Sequence, residues 1–266
     1  RKEIFEAIAA LKKRVERRRP LVRTIVAEYI IQALDYARDN SAIVYISGPT
    51  GRGKTYTSQW WATQNNHGRT TYLRAPSECT RRALVNLLCS ARGVAHSGNC
   101  AECEQSLRNT LSPRNVLIID EAGHLLSRSG RPGGPIELMR DLHDMTGCAI
   151  ALIFTDVYLA EMRRGRLADY YEQFFGRVEY LVDIPDIPRR DEVRQVLDAY
   201  FDDPDEDLVS YALKTARAGD GQLRTLYRDL MRADEFARSQ GRSIDPRDLK
   251  RFVKWRTDAG VWPEDK

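Results

Sequence analysis

The sequence predicts an α/β fold in which a parallel, doubly wound sheet flanked by helices precedes a small all-helical domain. Five short Val/Ile/Leu/Tyr-rich runs, at residues 42–47, 70–74, 115–120, 148–154 and 177–183, alternate with helical stretches. That alternation is the pattern of strands buried on both faces. A glycine-rich octet directly follows the first run. After Ile184-Pro185-Asp186-Ile187-Pro188 the strand signal stops and only helical periodicity continues, which marks a domain boundary.

Residues 2–18 and 21–39 both have helical periodicity, and Pro20 separates them. The second stretch puts Val22, Ile25, Val26, Tyr29, Ile30, Ala33 and Leu34 on one broad apolar face, as a helix packed ahead of the first strand should. Residues 1–23 hold nine Lys/Arg against three Glu, a net charge of +6 in a chain whose total is +4. Such an arm suits a polyanion, nucleic acid above all, or is a solvated helix face. Phe5 is its one aromatic residue, so base stacking is not indicated. Beyond residue 188, helical patterns fall at 189–201, 205–218, 222–239 and 246–256. The expected organisation is a basic helical arm over 1–40, an α/β domain over 41–184 and a helical lid over 185–266.

Ser-Ala-Ile-Val-Tyr-Ile-Ser leads into Gly48, Pro49, Thr50, Gly51, Arg52, Gly53, Lys54 and Thr55, and a helical stretch follows. Strand, glycine-rich turn and helix are the context a phosphate-binding loop requires. The glycines let successive backbone N–H groups converge on phosphate oxygens, and the helix N-terminus adds its dipole. Lys54 is placed to reach the β and γ phosphates of ATP, and the Thr55 hydroxyl to ligate Mg²⁺. About 65 residues later, Val-Leu-Ile-Ile ends in Asp120-Glu121. Asp120 is the expected second holder of the metal. Glu121 is placed to orient or deprotonate water, which points to hydrolysis rather than binding alone.

Composition narrows the class further. With 42% apolar and 30% charged residues, the 266-residue chain reads as globular rather than disordered. It has no run of 18 apolar residues and no secretory signal pattern, so a cytoplasmic protein without membrane attachment is expected. Cys89, His96, Cys100 and Cys103 have the spacing C-x6-H-x3-C-x2-C, which a four-ligand zinc site would use. Cys89, however, also fits the apolar pattern Ala-Leu-Val-Asn-Leu-Leu-Cys, in which a thiol is ordinary packing.

An α/β nucleotide core followed by a helical lid resembles the AAA+ superfamily over residues 21–256. The resemblance implies a polar sensor at Asp156, or at Thr155 in the neighbouring register, after the strand Ala-Ile-Ala-Leu-Ile-Phe. It implies an arginine finger, acting on a neighbouring subunit's nucleotide, at Arg177 in Gln173-Phe-Phe-Gly-Arg177, with Arg166 and Arg163 as weaker candidates. It implies a lid arginine reading the γ-phosphate at Arg224 in Gly221-Gln-Leu-Arg224.

Within that superfamily, three segments and the small lid are similar to MuB-like and TnsC-like regulators of DNA transposition. The segments are Leu34-Asp-Tyr-Ala-Arg, the run from Leu117 to Leu125 and Phe-Phe-Gly-Arg-Val. IstB-type helper ATPases are more distant. Gly123 stands where that pattern often has Asp, and Asp156 where it has Asn. The likeness implies ATP-dependent binding of double-stranded DNA without sequence preference, self-assembly as a helical filament or ring, and a transposase partner. DNA phosphates would then meet loops 75–82 and 127–135 through Thr80, Arg81, Arg82, Arg128 and Arg131. A secretion-linked or replication-initiator-like ATPase would share both nucleotide motifs and stays open.

Overall fold

The computed structural model describes residues 21–95, 97–126, 134–155, 158, 168–218 and 222–258. Five strands form within one residue of the expected bounds: β1 (Ile43–Ser47), β2 (Thr70–Arg74), β3 (Val116–Asp120), β4 (Ala149–Ile153) and β5 (Val178–Asp183). They pair in parallel in the order β2-β3-β4-β1-β5. The chain leaves β1 outward to the edge strand β2 and returns through β3 and β4. The carboxyl ends of β1 and β3 therefore face one crevice with β4 between them, the position at which open α/β sheets bind ligands.

Period-two alternation divides the strands between two faces. Ile43, Tyr45, Leu117, Ile119, Ile150 and Leu152 pack under α3 (Arg81–Ala91), α4 (Cys100–Arg108) and α5 (Pro135–Thr146). Val44, Ile46, Val116, Ile118, Ala151 and Ile153 pack under α1 (Ile25–Asn40) and α2 (Lys54–Gln64). Each fully buried aliphatic side chain contributes about 1.5–3 kcal/mol. Trp61 on α2 adds a second tie, because its indole N–H donates to Asp35 on α1 at 3.0 Å. The α1 helix begins four residues later than its apolar pattern does. Thr24 takes the N-cap, accepting from the Ala27 N–H at 3.1 Å, and this leaves Leu21 and Val22 outside the helix. Helix α6 (Ala168–Phe175) leads into β5.

Among the described residues the thiols take the packing alternative. Cys89 and Cys103 are buried in the core, with the Cys89 thiol directed at the Cys103 carbonyl at 3.7 Å and the Cys103 thiol at that of Gly98, also at 3.7 Å. Cys100 instead meets Glu104 at 3.5 Å. Burial is the main cause that raises the Cys89 and Cys100 thiols above their ordinary value, which keeps them protonated. His96 lies outside the described residues, and among those described no cluster of three or more His, Cys, Asp or Glu can hold a metal.

The lid is four helices, α7 (Arg190–Asp198), α8 (Glu206–Arg217), α9 (Gln222–Ser239) and α10 (Pro246–Thr257), around a separate apolar core. Val22, just ahead of α1, packs against that core, and the Ile25 N–H donates to Gln195 on α7 at 3.3 Å. The strongest contact between lid and sheet lies in the phosphate loop itself. Arg52 puts its guanidinium on Glu192 of α7 at 2.8 Å, with the two side chains 0% and 1% exposed. Glu192 also caps its own helix, accepting from the Arg189 N–H at 2.9 Å.

Removing one member of a buried pair strands the other charge. Glu192→Ala is therefore expected to lower unfolding free energy by about 3–5 kcal/mol in urea titrations. A joint Arg52→Met, Glu192→Leu exchange should recover most of that loss, because no charge is then left uncompensated.

Candidate functional site

The loop at the end of β1 takes its shape from two close constraints. Gly48 has φ +152°, and a Cβ there would lie 2.5 Å from the Cβ of Ile184, so no side chain fits. Gly53 has φ +87° and forms the N-cap of α2, a left-handed position that glycine adopts at no steric cost. Between them Pro49, Thr50, Gly51 and Arg52 arch over the helix N-terminus. Lys54 is 8% exposed and its ammonium lies within the arch, donating to the carbonyls of Gly48 and of Pro49, the latter at 2.8 Å. Ser58 braces the same turn by donating to the Lys54 carbonyl at 2.8 Å.

Asp120 is 2% exposed and accepts three hydrogen bonds, which leaves acceptor capacity on Oδ1. Its Oδ2 accepts from the Thr55 hydroxyl at 2.8 Å and from the Tyr72 hydroxyl at 2.8 Å, while Oδ1 accepts from the Glu121 N–H at 2.9 Å. Burial, then the charge of Asp120 and the hydrogen bond to it, push the Tyr72 phenol well above its ordinary value, so it remains a donor. A hydroxyl and a carboxylate held together at a buried strand end are hard oxygen donors, and no cation of the described protein is paired with Asp120. This donor set fits Mg²⁺.

Glu121 differs from its neighbour in every respect. Its backbone is left-handed (φ 54°, ψ 39°), its side chain is one-third exposed, and its ionic partner is Arg74 at 3.4 Å. A non-glycine residue in that region carries about 1–2 kcal/mol of strain, and the turn aims the side chain into the crevice next to Asp120. At Gly123, two residues on, a Cβ would come within 2.2 Å of the Tyr158 ring, which would have to shift.

These groups line a cavity of about 620 Å³ between sheet and lid, within the range that holds a nucleotide-sized ligand. Thr155 at the end of β4 reaches the cavity, whereas Asp156 lies outside the described residues. Arg224 on α9 donates to the Thr50 hydroxyl at 3.2 Å, and its backbone N–H donates to the Gly51 carbonyl at 3.2 Å. The structure thus brings Lys54, Thr55, Asp120, Glu121 and Arg224 to one place. The apolar end of the same cavity is formed by Leu21, Val22, Val196, Tyr200, Leu223 and Tyr227.

Arg177 is elsewhere. It precedes Val178, which pairs with Ile43 at the amino end of β1, and it forms a 2.9 Å ion pair with Asp144 and a bond to the Gln173 carbonyl. Arg163 and Arg166 lie outside the described residues. The residues expected at DNA have internal partners. Thr80 caps α3, Arg81 is bound by Glu104 at 2.7 Å and Asp141 at 3.4 Å, and Arg82 donates to the Gly98 carbonyl at 2.8 Å. Arg128 and Arg131 fall outside the described residues.

Tyr72, Arg74 and Glu192 were not singled out from the sequence. Tyr72 and Arg74 alternate along β2 and so share a face, but their meeting with Asp120 and Glu121 depends on β2 lying beside β3, with Arg74 in register with Asp120.

Comparisons with known proteins agree with this geometry. Residues 37–162 match the family model described as an AAA domain. The chain is similar to domain III of the replication initiation protein DnaA from Thermotoga maritima, with a TM-score of 0.55 and 16% identity over 88% of this chain and 93% of that one. Cdc6p from Pyrobaculum aerophilum gives a TM-score of 0.63 at 16% identity over 90% of this chain and 69% of that one. The Holliday junction branch migration motor RuvB from Thermotoga maritima gives 0.50 at 15% identity, over 90% and 71%. At such identities the likeness is one of fold, an AAA+ sheet with helices carboxyl-terminal to it. No curated protein matches the sequence. Among the described residues no helix is long and apolar enough to cross a membrane.

The separation of roles between the two adjacent carboxylates has a direct test. Glu121→Gln is expected to slow ATP turnover by on the order of 10²–10⁴ while leaving binding of a fluorescent ATP analogue unchanged.

Proposed function

With an AAA-type domain as premise, we propose that the protein hydrolyses ATP and uses its nucleotide state to control a DNA-bound assembly, in the manner of the MuB-like and TnsC-like regulators of transposition that its sequence resembles. The observation that carries the ATPase reading is the meeting of Lys54, Thr55, Asp120, Glu121 and a lid arginine in one cavity. Thr55 and Asp120 would hold Mg²⁺, which when bound neutralises charge on the β and γ phosphates. Lys54 reaches the same phosphates, the loop N–H groups orient them, and Glu121 takes or directs the proton of water. Arg224 reads the third phosphate from the lid. Asp156, or Thr155 in its place, supports the water from the end of β4.

Arg177 acts in trans on this reading, because its place at the far end of β5 separates it from its own subunit's loop. Hydrolysis is thereby tied to a second copy of the chain. For DNA, the internal ion pairs of Arg81 leave Arg128 and Arg131 as the larger contributors, with Thr80 and Arg82 secondary. Contacts of this kind neutralise phosphates without reading bases. A transposase is the partner the resemblance names.

Three measurements test the proposal. Arg177→Ala should depress DNA-stimulated hydrolysis by about 10³ or more while sparing ATP binding by isolated subunits; normal turnover would remove the trans assignment. Four phosphate contacts would give a log–log salt slope near about −3.6 for DNA binding, present with ATP and lost with ADP. Electron microscopy with DNA and a slowly hydrolysed ATP analogue should show helical filaments. Isolated rings or monomers would favour a replication-initiator-like ATPase instead.

A further inference from the structure

Tyr72 is not part of the phosphate loop or of the carboxylate motif, yet it touches the atom on which both converge. Asp120 Oδ2 accepts two hydroxyl protons, one from Thr55 and one from Tyr72, each at 2.8 Å. The phenol is oriented in turn by Gln59 on α2, whose side-chain N–H donates to the Tyr72 oxygen at 3.3 Å. With that oxygen accepting from Gln59, its own proton is directed onto Asp120. The ring is wedged against the apolar layer beneath α1 and α2, so the donor arrives from a fixed direction.

We propose that Tyr72 is a positioning residue for the divalent cation: it immobilises Asp120 so that this carboxylate and the Thr55 hydroxyl present one fixed, magnesium-sized set of oxygen donors. The Thr55 oxygen keeps lone pairs for a cation while its proton stays on Asp120. The Tyr72 bond stops Oδ2 from swinging out of that arrangement, and the Glu121 N–H holds Oδ1 from the other side. Mg²⁺ demands near-ideal octahedral geometry, whereas Ca²⁺ accepts irregular and larger oxygen shells. A locked carboxylate therefore favours the smaller ion.

The inference rests on reading the cavity as a metal–nucleotide site, and the experiment separates the two. Binding of a fluorescent ATP analogue is titrated with Mg²⁺, with Ca²⁺ and in EDTA, for the wild type and for Tyr72→Phe, which removes one oxygen from a partly buried ring. The expected result is a rise of about 10-fold in the Mg²⁺ half-saturation, the scale of losing a partner that orients a metal ligand, with little change for Ca²⁺ or in EDTA. Gln59→Leu, which leaves the ring in place, should shift Mg²⁺ dependence in the same direction by a smaller factor. In an Asp120→Asn background Tyr72→Phe should add little, as expected of two groups acting through one contact. Unchanged Mg²⁺ dependence in both single variants, or an equal loss with Mg²⁺, with Ca²⁺ and in EDTA, overturns the role of Tyr72. If the wild type itself binds nucleotide with no dependence on Mg²⁺, the metal-site reading falls and the inference with it.

Discussion

A guanidinium buried inside a phosphate loop has to put its charge somewhere, and among the described residues the acceptor it meets is on the lid. A phosphate loop works through its backbone, so the side chain at residue 52 is free to serve another purpose. Arg52 places its guanidinium on Glu192, and its Nε and NH1 atoms find no partner in the described protein. An arginine satisfied through one nitrogen depends on that single carboxylate for all its compensation. Pulling α7 off the loop would leave both ions stranded, at a cost of several kcal/mol each. The first lid helix and the loop are thus one mechanical body, reinforced by Ile184 filling the space that Gly48 leaves. The hold of α9 is of a different kind. Arg224 is exposed and attached by two 3.2 Å hydrogen bonds, to Thr50 and to the Gly51 carbonyl. Contacts as modest as these are readily exchanged for a phosphate oxygen, so the lid is anchored at α7 and responsive at α9.

Asp120 and Glu121 show how environment sets two neighbouring carboxylates apart, as the two roles proposed for them require. Asp120 ends a fully buried strand and spends its lone pairs on Thr55, Tyr72 and a backbone N–H. Those three bonds restrain it, and on the proposed reading a restrained carboxylate is suited to fixing a cation. Glu121 begins the next turn in a left-handed conformation, with one long ionic contact to the exposed Arg74. That contact in high dielectric contributes little, at most about 1 kcal/mol. Glu121 can therefore change partners cheaply, which a group handling water has to do.

What was legible in the sequence follows from how local each feature is. Strand and lid-helix positions came out within a few residues because a sheet buried on both faces needs unbroken apolar runs and a lid helix needs 3.6-residue spacing. That Lys54, Thr55, Asp120 and Glu121 would meet was readable because they lie in two short contiguous motifs at strand ends. The start of α1 was misplaced by four residues because Thr24, and not the apolar pattern, decides where the first turn begins. The partners of these motifs were hidden, since each belongs to another element. Tyr72 and Arg74 reach the carboxylates only through the pairing of β2 with β3, and Glu192 reaches Arg52 across 140 residues. The same limit misled the reading of Arg81. As sequence it is a cation in a loop beside Arg82; in the fold it is the first residue of α3 and is claimed by Glu104 and Asp141.

The two arginines assigned to the phosphates stand at opposite ends of the sheet, and this decides what each can do. Arg224 reaches the loop from the same chain because the lid folds back over the carboxyl ends of the strands. Arg177 sits level with the start of β1, and the four-residue step from Ile43 to Ser47 spans about 13 Å at about 3.3 Å per residue. Its guanidinium is also turned onto Asp144 at the end of α5. No rotation of that side chain carries it past the length of a strand to its own loop. A role for Arg177 at a phosphate therefore requires a second subunit whose loop is brought to this edge, with Asp144 giving up its partner as the subunits meet. The pair is 39% and 38% exposed, so its loss is inexpensive. On the proposed reading, an arginine placed where only a neighbour could use it would make assembly, rather than nucleotide binding, the event that completes the site.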